Sequence, residues 1–223
     1  MKTAVILGVG GLGCPAALAL SEARLDLRLV LVDPDRVDRS NLARQILFRD
    51  ADIGALKAEV AARRLRNAEA RVQRFDAATA DEILRDADVL LDGTDDAVTR
   101  FLANDEAVRR GIPLVHGAGL GWTGQLLAIL PRRTACLRCL FESPPSEGPT
   151  CAQAGVLAAL CGLVGASMSC TAVQILNEKN NFFYFSSGVE AGVLYRWDAR
   201  TGAERPLRLK RDPACAACGT GAS

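Results

Sequence analysis

Apolar runs separated by amphipathic stretches divide the chain. Thr3–Leu7 and Leu27–Val32 are nearly continuous apolar runs, and each reads as a strand buried on both faces. Val89–Asp92 and Pro113–His116 read the same way, and Arg71–Phe75 is expected as a further strand. Helices are predicted from about Pro15 to Ala23, Leu56 to Asn67 and Asp81 to Arg85. Another runs to about Arg110, with Asp96 as its cap. The stretch from Asp33 to Phe48 is too polar and irregular for a core helix. Strand and helix alternate over this half, which predicts a parallel, doubly wound α/β sheet.

The second half changes character. Gln125–Leu130, Phe182–Phe185, Val193–Trp197 and Leu207–Lys210 read as strands of a more antiparallel region. Cys151 to Leu176 carries no charge and is long enough to span a bilayer. Its Ala, Gly, Ser, Thr and Gln content instead predicts a buried helix of a soluble protein. No repeat or linker interrupts the 223 residues, so one domain over 1–223 is expected. The formal charge of +1 gives no support for nucleic acid or an anionic membrane as partner. Met1-Lys2-Thr3 leads into a strand and not a signal peptide, so a cytoplasmic location is expected. Eight cysteines in a reducing compartment favour metal binding or thiol chemistry over disulfides.

The chemistry begins at Gly8-Val9-Gly10-Gly11-Leu12-Gly13, between the first strand and its helix. Glycines let the backbone turn tightly and approach a phosphate, and the helix N-terminus favours an anion. Gly8, Gly10, Gly11 and Gly13 are therefore candidate nucleotide contacts in a Rossmann-like fold. Asp33 ends the second strand, where an acidic side chain holds ribose hydroxyls. So far an NAD-dependent oxidoreductase fits equally well. Ser40-Asn41-Leu42-Ala43-Arg44-Gln45 and Lys57 shift the balance, because two cations suit a triphosphate better than a dinucleotide. Thr94-Asp95-Asp96 follows a strand at its carboxyl end, and an aspartate there can hold Mg²⁺ on substrate phosphates. A helix cap competes for Asp96.

Cys136-Leu137-Arg138-Cys139 and Cys215-Ala216-Ala217-Cys218 are two C-x-x-C pairs that together suit a structural four-cysteine zinc site. Cys151 stands apart, between a Pro/Ser-rich loop and a helix start, where a thiol pKa falls and a nucleophile is favoured. Cys161 and Cys170 are expected in the core, Cys14 as a packing residue, and His116, the only histidine, in a satisfied structural role.

Taken together, in order and spacing, these residues resemble the ThiF/MoeB family of the ubiquitin-activating-enzyme superfamily. The likeness rests on the glycine stretch, Asp33, Ser40–Gln45, Lys57, Thr94-Asp95, both C-x-x-C pairs and Cys151-Ala152-Gln153-Ala154-Gly155-Val156. It implies an adenylyltransferase that uses Mg-ATP to activate the C-terminal Gly-Gly carboxylate of a ubiquitin-like sulfur carrier of ThiS or MoaD type. It further implies a homodimer and a sulfur donor protein. By the family's pattern Asp33 holds ribose, Gly11 and Asn41 line the nucleotide, and Arg44 and Lys57 bind the phosphates. Asp95 serves the metal, and Cys151 matches the sulfur-handling cysteine. The family's Thr-Asp-Asn is here Thr94-Asp95-Asp96, which adds a charge near the metal. The family's arginine ahead of the first strand, which reaches the partner's nucleotide, is expected to be absent or replaced. A relative that binds carrier or nucleotide without turnover is the alternative expectation.

Overall fold

A computed structural model describes residues 1–23, 25–144, 154–177 and 189–219. Among them one eight-stranded sheet runs through the molecule in the order β3-β2-β1-β4-β5-β6-β7-β8. The strands are β1 (Lys2–Leu7), β2 (Leu27–Val32), β3 (Ala68–Arg71), β4 (Val89–Asp92), β5 (Leu114–Leu120), β6 (Thr123–Ile129), β7 (Val193–Asp198) and β8 (Ala203–Arg208). From β3 to β5 every neighbouring pair is parallel. From β5 to β8 every pair is antiparallel. The expected change of character between the halves is therefore a change of strand direction at β5.

Burial explains the apolar runs. Ala4, Val5 and Ile6 of β1 and Val89, Leu90 and Leu91 of β4 are fully enclosed, because helices cover both faces. On one face α1 (Gly13–Glu22) packs along α6 (Ala158–Asn177), and α2 (Lys57–Arg64) joins them beside β2 and β3. On the other lie α3 (Ala80–Ile83), α4 (Ala97–Arg110) and α5 (Leu137–Leu140). By length and composition α6 could cross a membrane, yet it lies in this fold with Leu160, Cys161, Val164, Met168, Ala172 and Ile175 buried.

Several boundaries differ from the sequence reading. The third strand is Ala68–Arg71, not Arg71–Phe75, and its half-buried Ala-Glu-Ala-Arg has no apolar run to announce it. The last strand is Ala203–Arg208, an edge strand whose exposed residues carry no signal. β5 continues beyond His116 to Leu120. Cys170 is exposed on α6, not core. The expected strand Phe182–Phe185 and residue Cys151 lie outside the described residues.

Candidate nucleotide site

The cleft lies over the carboxyl ends of the parallel strands, as the topology of an open α/β sheet dictates. The loop after β1 forms its floor. Gly8 sits at φ +80°, a conformation only glycine adopts freely, and it turns the chain off the strand. Gly13 opens α1, and a Cβ there would stand 1.9 Å from the Gly8 carbonyl oxygen. Only glycine permits this approach of helix to strand. Gly10 and Gly11 line the cleft, and their amides have no backbone acceptor among the described residues.

Asp33 directly follows β2 and is almost fully buried. Its carboxylate accepts the Val9 amide at 2.7 Å and the Asp35 amide at 2.9 Å. Burial raises its pKa, while the Lys57 charge and those two amides oppose the rise. Lys57, the first residue of α2, points its ammonium into the cleft and donates to Asp35 at 2.9 Å. A lysine at a helix start opposes the helix dipole, so packing holds it there.

Arg44 and Gln45 line the cleft, whereas Ser40 and Asn41 do not. Asp38 accepts the Ser40 amide at 2.8 Å, and the Asn41 side chain accepts the Asp38 amide at 3.1 Å. That reciprocal cap fixes a turn, and Arg44 donates back to the Ser40 carbonyl at 3.1 Å. Ser40 and Asn41 thus aim the residues that follow. Gly13 likewise acts through packing and not by lining the cleft.

On the far side β4 ends at Asp92, which is fully enclosed. One carboxylate oxygen accepts both the amide and the hydroxyl of Thr94, at 3.0 and 2.7 Å. The other meets His116 Nδ1 at 2.7 Å. Burial pulls the Asp92 pKa up, but the His116 contact and the other partners win, and the net shift is downward. This bonding folds Gly93-Thr94 so that Asp95 projects into the cleft, exposed and with no hydrogen-bond or ion-pair partner among the described residues. Asp96 also reaches the cleft, but its carboxylate accepts the Thr99 amide and hydroxyl at 2.8 and 2.6 Å and caps α4. His116 lies beneath the cleft, paired and buried, as the structural expectation had it.

Gln73, Arg74, Phe75, Thr99, Arg100, Ala118, Gly119 and Cys161 also line the cleft, and the sequence reading assigned none of them to it. Arg100 donates from Nε and Nη2 to the Thr94 carbonyl at 3.0 and 2.6 Å. Cys161, expected as core, is buried and also forms part of the cleft wall. Cys14 is enclosed, with its thiol pushed up to about 12 by burial, in keeping with a packing role.

Away from the cleft the four cysteine sulfurs of Cys136, Cys139, Cys215 and Cys218 lie within 4.8 Å of one another. Cys136 and Cys215 are 3.7 Å apart, and Cys139 and Cys218 are 3.4 Å apart. Zinc–sulfur bonds of about 2.3 Å imply tetrahedral sulfur separations of about 3.8 Å, so the set fits a tetrathiolate metal. Burial pushes the Cys218 thiol up to about 11 and Cys136 higher still.

A glycine-rich loop at a helix N-terminus, with cations and aspartates around one cleft, has the make-up of a nucleotide-binding α/β protein. Its family follows from comparison: the ThiF family model matches residues 2–217, and the chain belongs to that family. A sulfur carrier protein adenylyltransferase of Thermus thermophilus is 38% identical over 229 residues, covering 96% of this chain and 81% of the relative. The sulfur carrier protein ThiS adenylyltransferase of Escherichia coli is 36% identical over 224 residues, covering 96% and 85%. Against the adenylyltransferase and sulfurtransferase MOCS3 of Caenorhabditis briggsae, 37% identical, the chain spans only 55% of the relative's length. Among solved structures, E. coli MccB with ATP superposes with a TM-score of 0.81 at 19% identity, covering 97% of this chain and 67% of that one; the likeness is one of fold.

Proposed function

We propose that the chain is an ATP-dependent adenylyltransferase acting on the C-terminal Gly-Gly carboxylate of a ubiquitin-like sulfur carrier of ThiS or MoaD type. The observation that carries the reading is the convergence of Gly10, Gly11, Arg44, Lys57, Asp33 and Asp95 on one cleft. The relatives named for carrier adenylylation support it.

Asp33 accepts ribose hydroxyls, adding them to the two amides that it already holds. The free amides of the glycine loop, with Arg44 and Lys57, receive the phosphates. Asp95 is a hard oxygen donor with no competing partner among the described residues, the type of ligand Mg²⁺ selects. Asp95 would help hold magnesium brought in with the nucleotide, and the ion when bound would supply neutralisation of phosphate charge. A carrier carboxylate oxygen then bonds to the α-phosphorus while the bond to the β-phosphate oxygen breaks. Acyl-adenylate and pyrophosphate result, and no proton needs to move. Positioning and charge neutralisation therefore supply the catalysis, and no general base is required. Sulfur later displaces AMP, and Cys151 is proposed to handle it with a sulfur donor. Cys136, Cys139, Cys215 and Cys218 hold a structural Zn²⁺ that ties the C-terminal segment to α5. Homodimerisation and a cytoplasmic setting complete the reading.

The test is ATP–pyrophosphate exchange dependent on a Gly-Gly carrier. Exchange that ignores the carrier, or NADH turnover in its place, would overturn it.

A further inference from the structure

The catalytic reading leaves the only histidine of the chain unused. His116 does not line the nucleotide cleft, yet the β4–β5 register sets it directly beside Asp92, and both side chains are almost fully enclosed. Neighbouring strands lie about 4.8 Å apart with paired residues on one face, so ring and carboxylate meet without distorting either strand. His116 Nδ1 stands 2.7 Å from Asp92 Oδ2. An ionised carboxylate only accepts, so Nδ1 carries the proton.

The ring is held from behind. Leu127 of β6 stands opposite His116 and is buried. At the next residue, Gly117, a Cβ would stand 2.3 Å from Met168 Sδ, so α6 packs directly on the β5 backbone and pins it. In front, Thr94 uses every polar group it has. Asp92 Oδ1 accepts its amide at 3.0 Å and its hydroxyl at 2.7 Å, and Arg100 donates to its carbonyl at 3.0 and 2.6 Å. Asp95 comes next, exposed in the cleft and without a hydrogen bond or ion pair among the described residues, so the backbone of Thr94 aims it. Without the Nδ1 donor, Asp92 Oδ2 becomes a buried acceptor with no partner, and the carboxylate gains by turning toward another donor. Oδ1 then leaves Thr94.

We propose that His116 is a positioning residue for the metal-bearing nucleotide: by holding Asp92 Oδ2 it keeps Oδ1 on Thr94, and through Thr94 it aims Asp95 into the cleft. The proposal rests on the adenylyltransferase reading above for the role of Asp95. A group that orients a metal ligand without touching the metal changes metal affinity about tenfold or more. Gly10, Gly11, Arg44 and Lys57 reach the cleft from other elements. Loss of His116 should therefore weaken the magnesium-dependent share of nucleotide binding and spare the rest.

The experiment uses the full chain and three variants: His116→Asn, His116→Gln and His116→Leu. Asparagine puts its Nδ2 where histidine carries Nδ1, glutamine carries its amide one bond further out, and leucine fills space without a donor. Calorimetry measures binding of α,β-methylene-ATP with Mg²⁺ and in buffer free of divalent ions. Carrier-dependent ATP–pyrophosphate exchange gives KM for Mg-ATP, and circular dichroism gives the melting temperature. In His116→Leu and His116→Gln the gain in binding from Mg²⁺ should fall about tenfold and KM should rise about tenfold, with metal-free binding as in the parent. His116→Asn should keep parental values. A structural role alone would lower the melting temperature without separating magnesium-dependent from metal-free binding. An unchanged Mg²⁺ gain in His116→Leu overturns the proposal, as does a parent that shows no such gain. Should His116→Leu fail to fold, equal Mg²⁺ gains in His116→Asn and His116→Gln overturn it. A parent with the Mg²⁺ gain but no exchange with any Gly-Gly carrier would instead fail the adenylyltransferase reading, and the binding data would still decide the role of His116.

Discussion

Replacing Lys57 with methionine isolates the charge from the packing. Methionine keeps most of the apolar stem, and only the ammonium is lost. The Lys57 side chain is 9% exposed and its partner Asp35 is 62% exposed, so solvent screens the pair. Such a pair contributes about 0.5 kcal/mol to stability. For a chain of this size that corresponds to a melting shift of about 1–2 °C. The effect on the reaction is about sixfold larger in free energy. A cation about 4 Å from a phosphate oxygen, in an effective dielectric of about 20, interacts by about 4 kcal/mol. Removal of one such preorganised donor from a transition state costs about 3 kcal/mol. At about 1.4 kcal/mol per decade, that is a hundredfold or greater loss of adenylate formation. Carrier-dependent ATP–pyrophosphate exchange measures the rate, and thermal denaturation followed by circular dichroism measures the fold. Exchange within threefold of the parent, at normal melting temperature, would refute the role of Lys57. A second variant, Lys57→Arg, should retain part of the rate because it keeps the charge.

The remaining predictions address other parts of the molecule. Asp95→Ala should lower exchange at least about a hundredfold with little change in melting temperature, since its exposed carboxylate makes no hydrogen bond or ion pair among the described residues; near-normal exchange would remove it from the site. Elemental analysis should find one zinc per chain, and chelation should loosen the C-terminal segment ahead of the sheet, as limited proteolysis would reveal. Asp92→Asn should destabilise the fold by about 3 kcal/mol in chemical denaturation, because it breaks the buried carboxylate–His116 pair, while the remaining amide oxygen can still accept from Thr94. The Asp92 pKa is lowered in the folded state, so its contribution is present above the ordinary carboxylate range and is lost as pH falls through the lowered value; the acid limb of a stability–pH curve should therefore flatten in Asp92→Asn. Cys151→Ser should leave exchange intact while reducing thiocarboxylate yield, read by mass spectrometry of the carrier; normal yield with the physiological donor would end the sulfur-transfer role.

What could be read in advance followed burial. β2 and β4 were legible to the residue because a strand enclosed on both faces must be a continuous apolar run. The edge strands were not. Ala68-Glu69-Ala70-Arg71 and Ala203–Arg208 pair through their backbones while their side chains meet solvent, so apolar content pointed several residues too late in each case. Phe75, which drew the third strand toward itself, is buried in the core below the cleft instead. In the site, Lys57 and Arg44 stood out because cations near a glycine loop need a reason. Gln73, Arg100 and Ala118 reach the cleft from three different elements, and no local pattern relates residues joined only by the closure of the sheet. Asn41 was legible as important but not as to why: its side chain closes a turn, and the sequence records only the residue type.

The reversal of strand direction at β5 bears on how such a chain can change over time. Parallel neighbours require crossovers that wrap the sheet, so β1 to β4 are locked to α1, α2 and α4, and altering one strand disturbs distant contacts. Two of the antiparallel connections are short turns, Gly121-Trp122 between β5 and β6 and Ala199–Gly202 between β7 and β8, whereas β6 reaches β7 by way of α5 and α6. The β7–β8 hairpin is local, and substitutions or insertions in its turn leave the routing of the rest of the chain untouched. The molecule is thus divided into a half under strong constraint, which holds the glycine loop, and a hairpin at the far edge of the sheet that is free to drift. Variation among relatives should concentrate on β7 and β8, and grafting those two strands from one relative to another is the smallest exchange that could alter what the enzyme recognises while leaving its chemistry in place.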